Sequence, residues 1–64
     1  MQINGNEKSG YAGRSVKEML LAEGYVPERV AVELNGRILP KAEFETVFLE
    51  DGDAAEVVSF MGGG

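Results

Sequence analysis

The stretch Val30-Ala31-Val32-Glu33-Leu34-Asn35-Gly36 constrains this chain more than any other. Its period-two pattern puts Val30, Val32 and Leu34 on one face of a strand. Asn-Gly then follows, the dipeptide that most readily takes two successive positive φ angles, as a two-residue hairpin turn requires. Arg37-Ile38-Leu39 returns as a short partner strand, and Pro40 ends it because proline has no N–H to give to a ladder. The apolar face of that hairpin needs a cover.

One helix supplies it. Ser15-Val16-Lys17-Glu18 is a capping box, in which the Ser15 hydroxyl accepts from the Glu18 amide while the Glu18 carboxylate reaches back to the Ser15 amide. The spacing predicts a helix over about 16–23, with Val16, Met19 and Leu20 on its core face and Glu23 at the margin of that stripe. Gly24 can close the helix in the left-handed conformation, Tyr25 can cover its last turn, and Pro27 prevents resumption.

The remaining segments are strands and turns. Met1 to Asn4 is a short extended start that meets a second Asn-Gly turn at Asn4-Gly5, so a first hairpin is expected. Its returning strand, within Glu7 to Tyr11, carries one aromatic among polar residues, the pattern of an exposed edge. Lys41 to Phe48 reads as a helical turn and loop with Phe44 and Phe48 as plugs. Asp51-Gly52-Asp53 is a turn, and Ala55 to Met61 is the last strand. The order strand, strand, helix, strand, strand, strand is too short for repeated crossovers, and it describes an α+β sheet wrapped on a single helix.

Size and charge remove whole classes of function. A 64-residue chain makes one small domain, burying only about 60% of its unfolded surface, which argues against a deep enzyme pocket. It has no Cys and no His, so there is no disulfide, thiol nucleophile, zinc-thiolate site or histidine-based triad. Gly5, Gly10 and Gly13 form neither G-x-G-x-x-G nor a phosphate loop, so the chain is not expected to bind a nucleotide itself. A net charge of −5 repels nucleic acid and anionic membranes and favours a partner with a basic face. No signal peptide or apolar run of membrane-spanning length is visible, and the expected location is the cytoplasm.

The sequence ends Phe60-Met61-Gly62-Gly63-Gly64. Terminal glycines commonly mark a frayed end or a linker stub. Here, however, Val57, Val58, Phe60 and Met61 run straight into them with no polar spacer, so strand and tail read as one device. Three residues reach at most about 10 Å beyond the strand, and without Cβ atoms they can enter a channel that any side chain would block. The reactive object would be the Gly64 carboxylate. A carboxylate is a poor electrophile, but ATP converts it to an acyl adenylate from which sulfur or an amine displaces AMP.

The whole chain resembles a known family, the ThiS sulfur carriers of thiamine biosynthesis. The resemblance is carried by Ile3-Asn4-Gly5, Ser15-Val16-Lys17-Glu18-Met19-Leu20, Val30 to Gly36, Asp51-Gly52-Asp53 and Glu56 to Gly64 in that order and spacing. It implies a ubiquitin-like β-grasp fold: a mixed sheet of about five strands packed on one helix over residues 1–61, with a flexible glycine tail at 62–64. It also implies that an E1-like, ThiF-type enzyme uses ATP and magnesium to adenylate Gly64, that a sulfur donor protein converts it to a thiocarboxylate, and that the sulfur passes to a ThiG-type thiazole synthase. Gly62 and Gly63 complete the tail. The chain would be a cosubstrate with no catalytic residue, cofactor or metal of its own, monomeric when free.

Val57 and Met61 on one face of the last strand and Val58 and Phe60 on the other cannot all pack on one helix. Either the Phe44–Phe48 loop covers the second face, or that face is a docking patch; by analogy with ubiquitin-like docking, Phe60, Met61 and Val58 are the expected partner contacts. Glu50, Asp51, Asp53 and Glu56 form an acidic rim that could meet basic residues of an adenylating enzyme, and they lack the further oxygen ligands of a calcium loop. Three rival readings stand beside the thiamine carrier: a molybdopterin-synthase small subunit, a ubiquitin-like modifier, and a β-grasp interaction module with an inert tail.

Overall fold

A computed structural model of the chain describes residues 1–60. The elements run β1 (Gln2–Ile3), β2 (Asn6–Glu7), α1 (Val16–Ala22), a 3-10 turn at Pro27–Arg29, β3 (Val30–Leu34), β4 (Arg37–Leu39), a second 3-10 turn at Lys41–Glu43, and β5 (Ala54–Ser59). The five strands form one mixed sheet in the order β2-β1-β5-β3-β4. Strand β5 lies at its centre, parallel to β1 and antiparallel to β3.

Both Asn-Gly turns form as their chemistry requires. Asn4 and Gly5 have φ of 51° and 81°, and Asn35 and Gly36 have 52° and 81°, the double positive φ that matches the twist of a tight hairpin. The first hairpin is shorter than the sequence suggested. Its second strand is only Asn6–Glu7, and Tyr11 lies beyond it, half-buried against the core.

Helix α1 closes at both ends by local chemistry. Glu18 N–H donates to Ser15 Oγ at 3.1 Å, and Ser15 N–H donates to Glu18 Oε1 at 2.9 Å. The two amides that no capping box can serve find partners elsewhere: Val16 N–H donates to the Val47 carbonyl at 3.0 Å and Lys17 N–H to the Phe44 carbonyl at 2.8 Å. At the other end Gly24 N–H donates to Leu21 O and Tyr25 N–H to Leu20 O, at 3.1 and 2.9 Å. This is the Schellman pattern, and it needs the left-handed φ that Gly24 takes at 87°. The C-cap residue Glu23 accepts a short hydrogen bond from the Tyr11 hydroxyl and pairs with Lys8 at 3.3 Å, which ties the polar, glycine-rich segment after β2 to the helix end.

The core lies between α1 and one face of the sheet. Met1, Ile3, Val16, Met19, Leu20, Val30, Val32, Phe44, Leu49, Ala55 and Val57 are its buried members. The loop after β4 departs from the expectation for it. Phe44 is a plug, but Phe48 is 59% exposed and Leu49, at 1%, takes the second interior position. The cause is the course of the loop. It runs antiparallel to the segment before α1, with Leu49 N–H donating to the Arg14 carbonyl and Gly13 N–H to the Leu49 carbonyl, each at 2.8 Å. The Phe44 and Val47 carbonyls are committed to the helix N-terminus, and Phe48 is turned outward. Among the described residues no helix is long and apolar enough to cross a membrane.

Candidate functional site

The structure separates the two faces of β5. Along Ala54–Ser59 burial alternates, with Ala55 and Val57 inside and Glu56 and Val58 outside. Val58 is 61% exposed and Phe60, just past the strand, is 53% exposed. The Phe44–Phe48 loop was one candidate cover for this face. It packs instead at the helix N-terminus, and among the described residues nothing covers Val58 on the outer face of the sheet.

Register places the neighbours of Val58. Ala31 of β3 is its cross-strand partner, and two pairs along, on the same face, Glu33 lies opposite both Glu56 of β5 and Ile38 of β4. Ile38 is 78% exposed. Ala31, Ile38 and Val58 thus line a shallow apolar surface with Glu33 and Glu56, and two carboxylates face each other across it. Sequence reasoning named Val58, Phe60 and Glu56 but missed Ile38 and Glu33. The alternation from Val30 does put Glu33 on the outer face; its pairing with Glu56 required the register.

The acidic rim divides accordingly. Asp53 is occupied within its turn, accepting from Asn35 Nδ2 and from the Glu50 amide, both at 2.9 Å. Glu56 is left as the rim carboxylate that belongs to the sheet face.

Phe60 is anchored at the start of the tail. Its N–H donates to the Arg29 carbonyl at 2.8 Å, which carries the β5 pairing past Ser59, and the Lys41 ammonium sits 5.4 Å from the centre of its ring. Met61, Gly62, Gly63 and Gly64 lie outside the described residues.

A central strand, paired on both sides and leading at Phe60 towards Met61 and the glycines, on a sheet curled over one helix, is an arrangement with relatives. The ThiS family model matches residues 1–64. The chain belongs to the ThiS family. The crystal structure of the thiamine biosynthesis protein ThiS from Geobacter metallireducens is 39% identical, with a TM-score of 0.79 over 98% of this chain and 96% of that one. The solution structure of the Geobacter metallireducens protein gives the same TM-score over 98% of this chain and 85% of that one. The mixed five-stranded sheet on one helix is therefore the ThiS β-grasp. Among curated relatives, a thiazole synthase of Magnetococcus marinus is 36% identical over 64 residues, and one of Paramagnetospirillum magneticum is 42% identical over 62 residues. The chain covers only 20% and 19% of those two proteins. An uncharacterized protein of Pyropia yezoensis, ycf40, is 39% identical over 100% of this chain and 90% of its own length.

Proposed function

We propose that this chain is the sulfur carrier of thiazole formation in thiamine biosynthesis, a protein cosubstrate rather than an enzyme. The observation that carries the reading is the ThiS match over residues 1–64, which includes the terminal glycines. The folded body presents a docking face, and Gly64 is the group acted upon.

In this reading an E1-like, ThiF-type enzyme binds the outer face of the sheet through Val58, Phe60 and Met61 and admits Gly62, Gly63 and Gly64 to its ATP site. A Gly64 carboxylate oxygen attacks the α-phosphorus of ATP, and the bond to pyrophosphate breaks. Magnesium on the activating enzyme offsets the charge of the leaving group. The acyl adenylate is then open at carbon: a hydrosulfide equivalent from a sulfur donor protein adds, AMP leaves with the former carboxylate oxygen, and Gly64 becomes a thiocarboxylate. Thiazole synthase consumes that sulfur. Glycine suits all three tail positions because a Cβ would widen the segment that has to reach the nucleotide.

The two thiazole synthase relatives favour the thiazole route over a molybdopterin-type carrier or a ubiquitin-like modifier. The test is intact-protein mass spectrometry after incubation with ATP, magnesium, a ThiF-type enzyme and a sulfur source. The full chain is expected to gain the mass difference between sulfur and oxygen, and a Gly63-Gly64 deletion to gain nothing while melting at the same temperature. If no competent activating enzyme modifies the full chain, the carrier reading fails and an inert interaction module replaces it.

A further inference from the structure

Glu33 and Glu56 stand opposite each other on the exposed face of the sheet, and among the described residues neither pairs with a cation. The ion pairs there use Glu7, Glu23 and Glu45. Arg37 precedes Ile38 on β4, where it is the partner of Leu34, and so belongs to the other face. Arg29, whose carbonyl accepts from the Phe60 N–H, is four residues back from Glu33, about 13 Å of extended strand. Like charges directly opposite on a sheet are destabilising, so folding gives no reason for the pair. Its surroundings do. Across the sheet the row runs Glu56, Glu33, Ile38, with Val58 and Ala31 beside it on the same face, and these residues line a shallow hollow of about 200 Å³. That is below the roughly 300–1,000 Å³ of a small-molecule pocket, and it suits one large side chain.

We propose that Glu33 and Glu56 select the partner that docks on this face: a surface of the activating enzyme that places one arginine between the two carboxylates and apolar side chains over Ile38 and Val58. The inference rests on the carrier reading given above and supplies the chemistry of its docking partner. Cross-strand neighbours have Cβ atoms about 4.5–5.5 Å apart, a spacing that one guanidinium bridges because its N–H donors fork in two directions. Its stem lies along the apolar side chains. An uncharged apolar partner would bury two unpaired carboxylates, which is strongly unfavourable. A second copy of this chain is disfavoured on the same ground, since a two-fold contact would gather four carboxylates between chains that each carry a net charge of −5. The arginine also relieves the repulsion within the carrier, so the pair that weakens the free fold strengthens the complex.

The experiment titrates a ThiF-type enzyme with the full chain in a calorimeter at low and high salt, and sediments the chain alone. Glu33→Gln and Glu56→Gln keep the shape and remove one charge each. Glu45→Gln removes an equal charge from the loop at the helix N-terminus, away from the outer face, and serves as the control. E33Q and E56Q are each expected to weaken binding by about tenfold or more, the loss of one hydrogen bond between charged groups, to reduce its salt dependence, and to melt no lower than the wild type. E45Q is expected to bind within about twofold of the wild type, its charge being screened at that distance. At saturating concentration the wild-type chain, unlike E33Q, should protect an arginine of the enzyme from phenylglyoxal. Affinities of E33Q and E56Q equal to that of E45Q, or no arginine protected, overturn the inference alone. Self-association of the wild-type chain that E33Q alters, or a loss of affinity confined to a ThiG-type synthase, also overturns it by giving the face to another occupant. If the unaltered chain is neither bound nor adenylated by any competent ThiF-type enzyme, the carrier reading itself falls.

Discussion

The side-chain amide of Asn4 serves both backbone groups of Val57, accepting from its N–H at 2.7 Å and donating to its carbonyl at 3.2 Å. Strand β1 pairs with β5 only as far as Ile3 opposite Ala55, after which the backbone turns away through Asn4-Gly5. The Asn4 amide stands in for the next strand residue. Asn35 acts similarly at the other end of β5, where its Oδ1 accepts from the Ala54 N–H at 2.9 Å and its own N–H donates to the Ala54 carbonyl at 2.8 Å. Each turn asparagine thus takes a positive φ and clamps the central strand.

Replacing Asn4 with glycine separates those two tasks. Glycine adopts the positive φ at no steric cost, so the turn survives and only the clamp is lost. Asn4→Gly is expected to lower the stability to urea by about 1–3 kcal/mol, the range for stripping partners from part-buried backbone groups. An unchanged midpoint would mean that water serves Val57 equally well.

The features legible in the sequence were those fixed by neighbours in the chain. Two Asn-Gly turns, the Ser15–Glu18 box and the Gly24 cap each require a few consecutive residues, and each formed where the residues stand. Long-range pairing was not legible in the same way. Whether Phe48 or Leu49 turned inward depended on the Phe44 and Val47 carbonyls being drawn to the helix amides, a contact between segments about 30 residues apart. The candidate face shows the same division. Alternation put Val58 on the opposite side from Val57, but that nothing among the described residues covers Val58, and that Ile38 and Glu33 adjoin it, required the strand order.

Leu49 and Phe48 provide a sharp contrast between neighbours. Leu49→Ala empties a fully buried site and is expected to cost about 2–5 kcal/mol, a large share of the roughly 5–15 kcal/mol that holds a small domain together. Phe48→Ser should lie within about 0.5 kcal/mol of wild type. Chemical denaturation of both variants decides the matter, and a reversed order would place the wrong residue in the core.

The Tyr11–Glu23 contact should appear in the pH profile of stability. The hydrogen bond from Tyr11 holds the Glu23 carboxyl below its ordinary range, with Lys8 aiding and burial opposing. The same bond, with burial and the Glu23 charge, pushes the Tyr11 phenol up. A depressed carboxyl contributes stability above its unfolded pKa of about 4.3 and loses it as pH falls through the folded value. A raised phenol contributes below about pH 10 and loses it as pH rises through its folded value. The stability difference between wild type and Tyr11→Phe should therefore be widest between those limits and shrink towards either extreme. A difference that stays flat from acid to alkaline pH would assign the effect of Tyr11 to packing.

Glu33 and Glu56 face each other across β3 and β5, and like charges directly opposite on a sheet are destabilising. Glu33→Lys converts the clash into an attractive pair and should raise stability by about 0.2–1 kcal/mol at low salt, the gain shrinking as salt is added. Thermal melts at two ionic strengths test this; a gain that does not change with salt would point to propensity rather than charge.

Val58 offers the complementary case, a residue whose loss should be felt in binding and little in folding. Its side chain is 61% exposed and stands beside Ala31 on the outer face, so Val58→Ser removes little buried area and should shift stability by no more than about 0.5 kcal/mol. Buried at the centre of an interface, the same truncation commonly costs more than about 1 kcal/mol, or at least about fivefold in affinity. Titration of a ThiF-type enzyme, the proposed activating partner, with wild-type and V58S chains compares the two quantities directly. Equal affinities would move the docking surface away from this face, whereas weaker binding by a chain that melts normally would identify the outer side of β5 as the proposed docking surface.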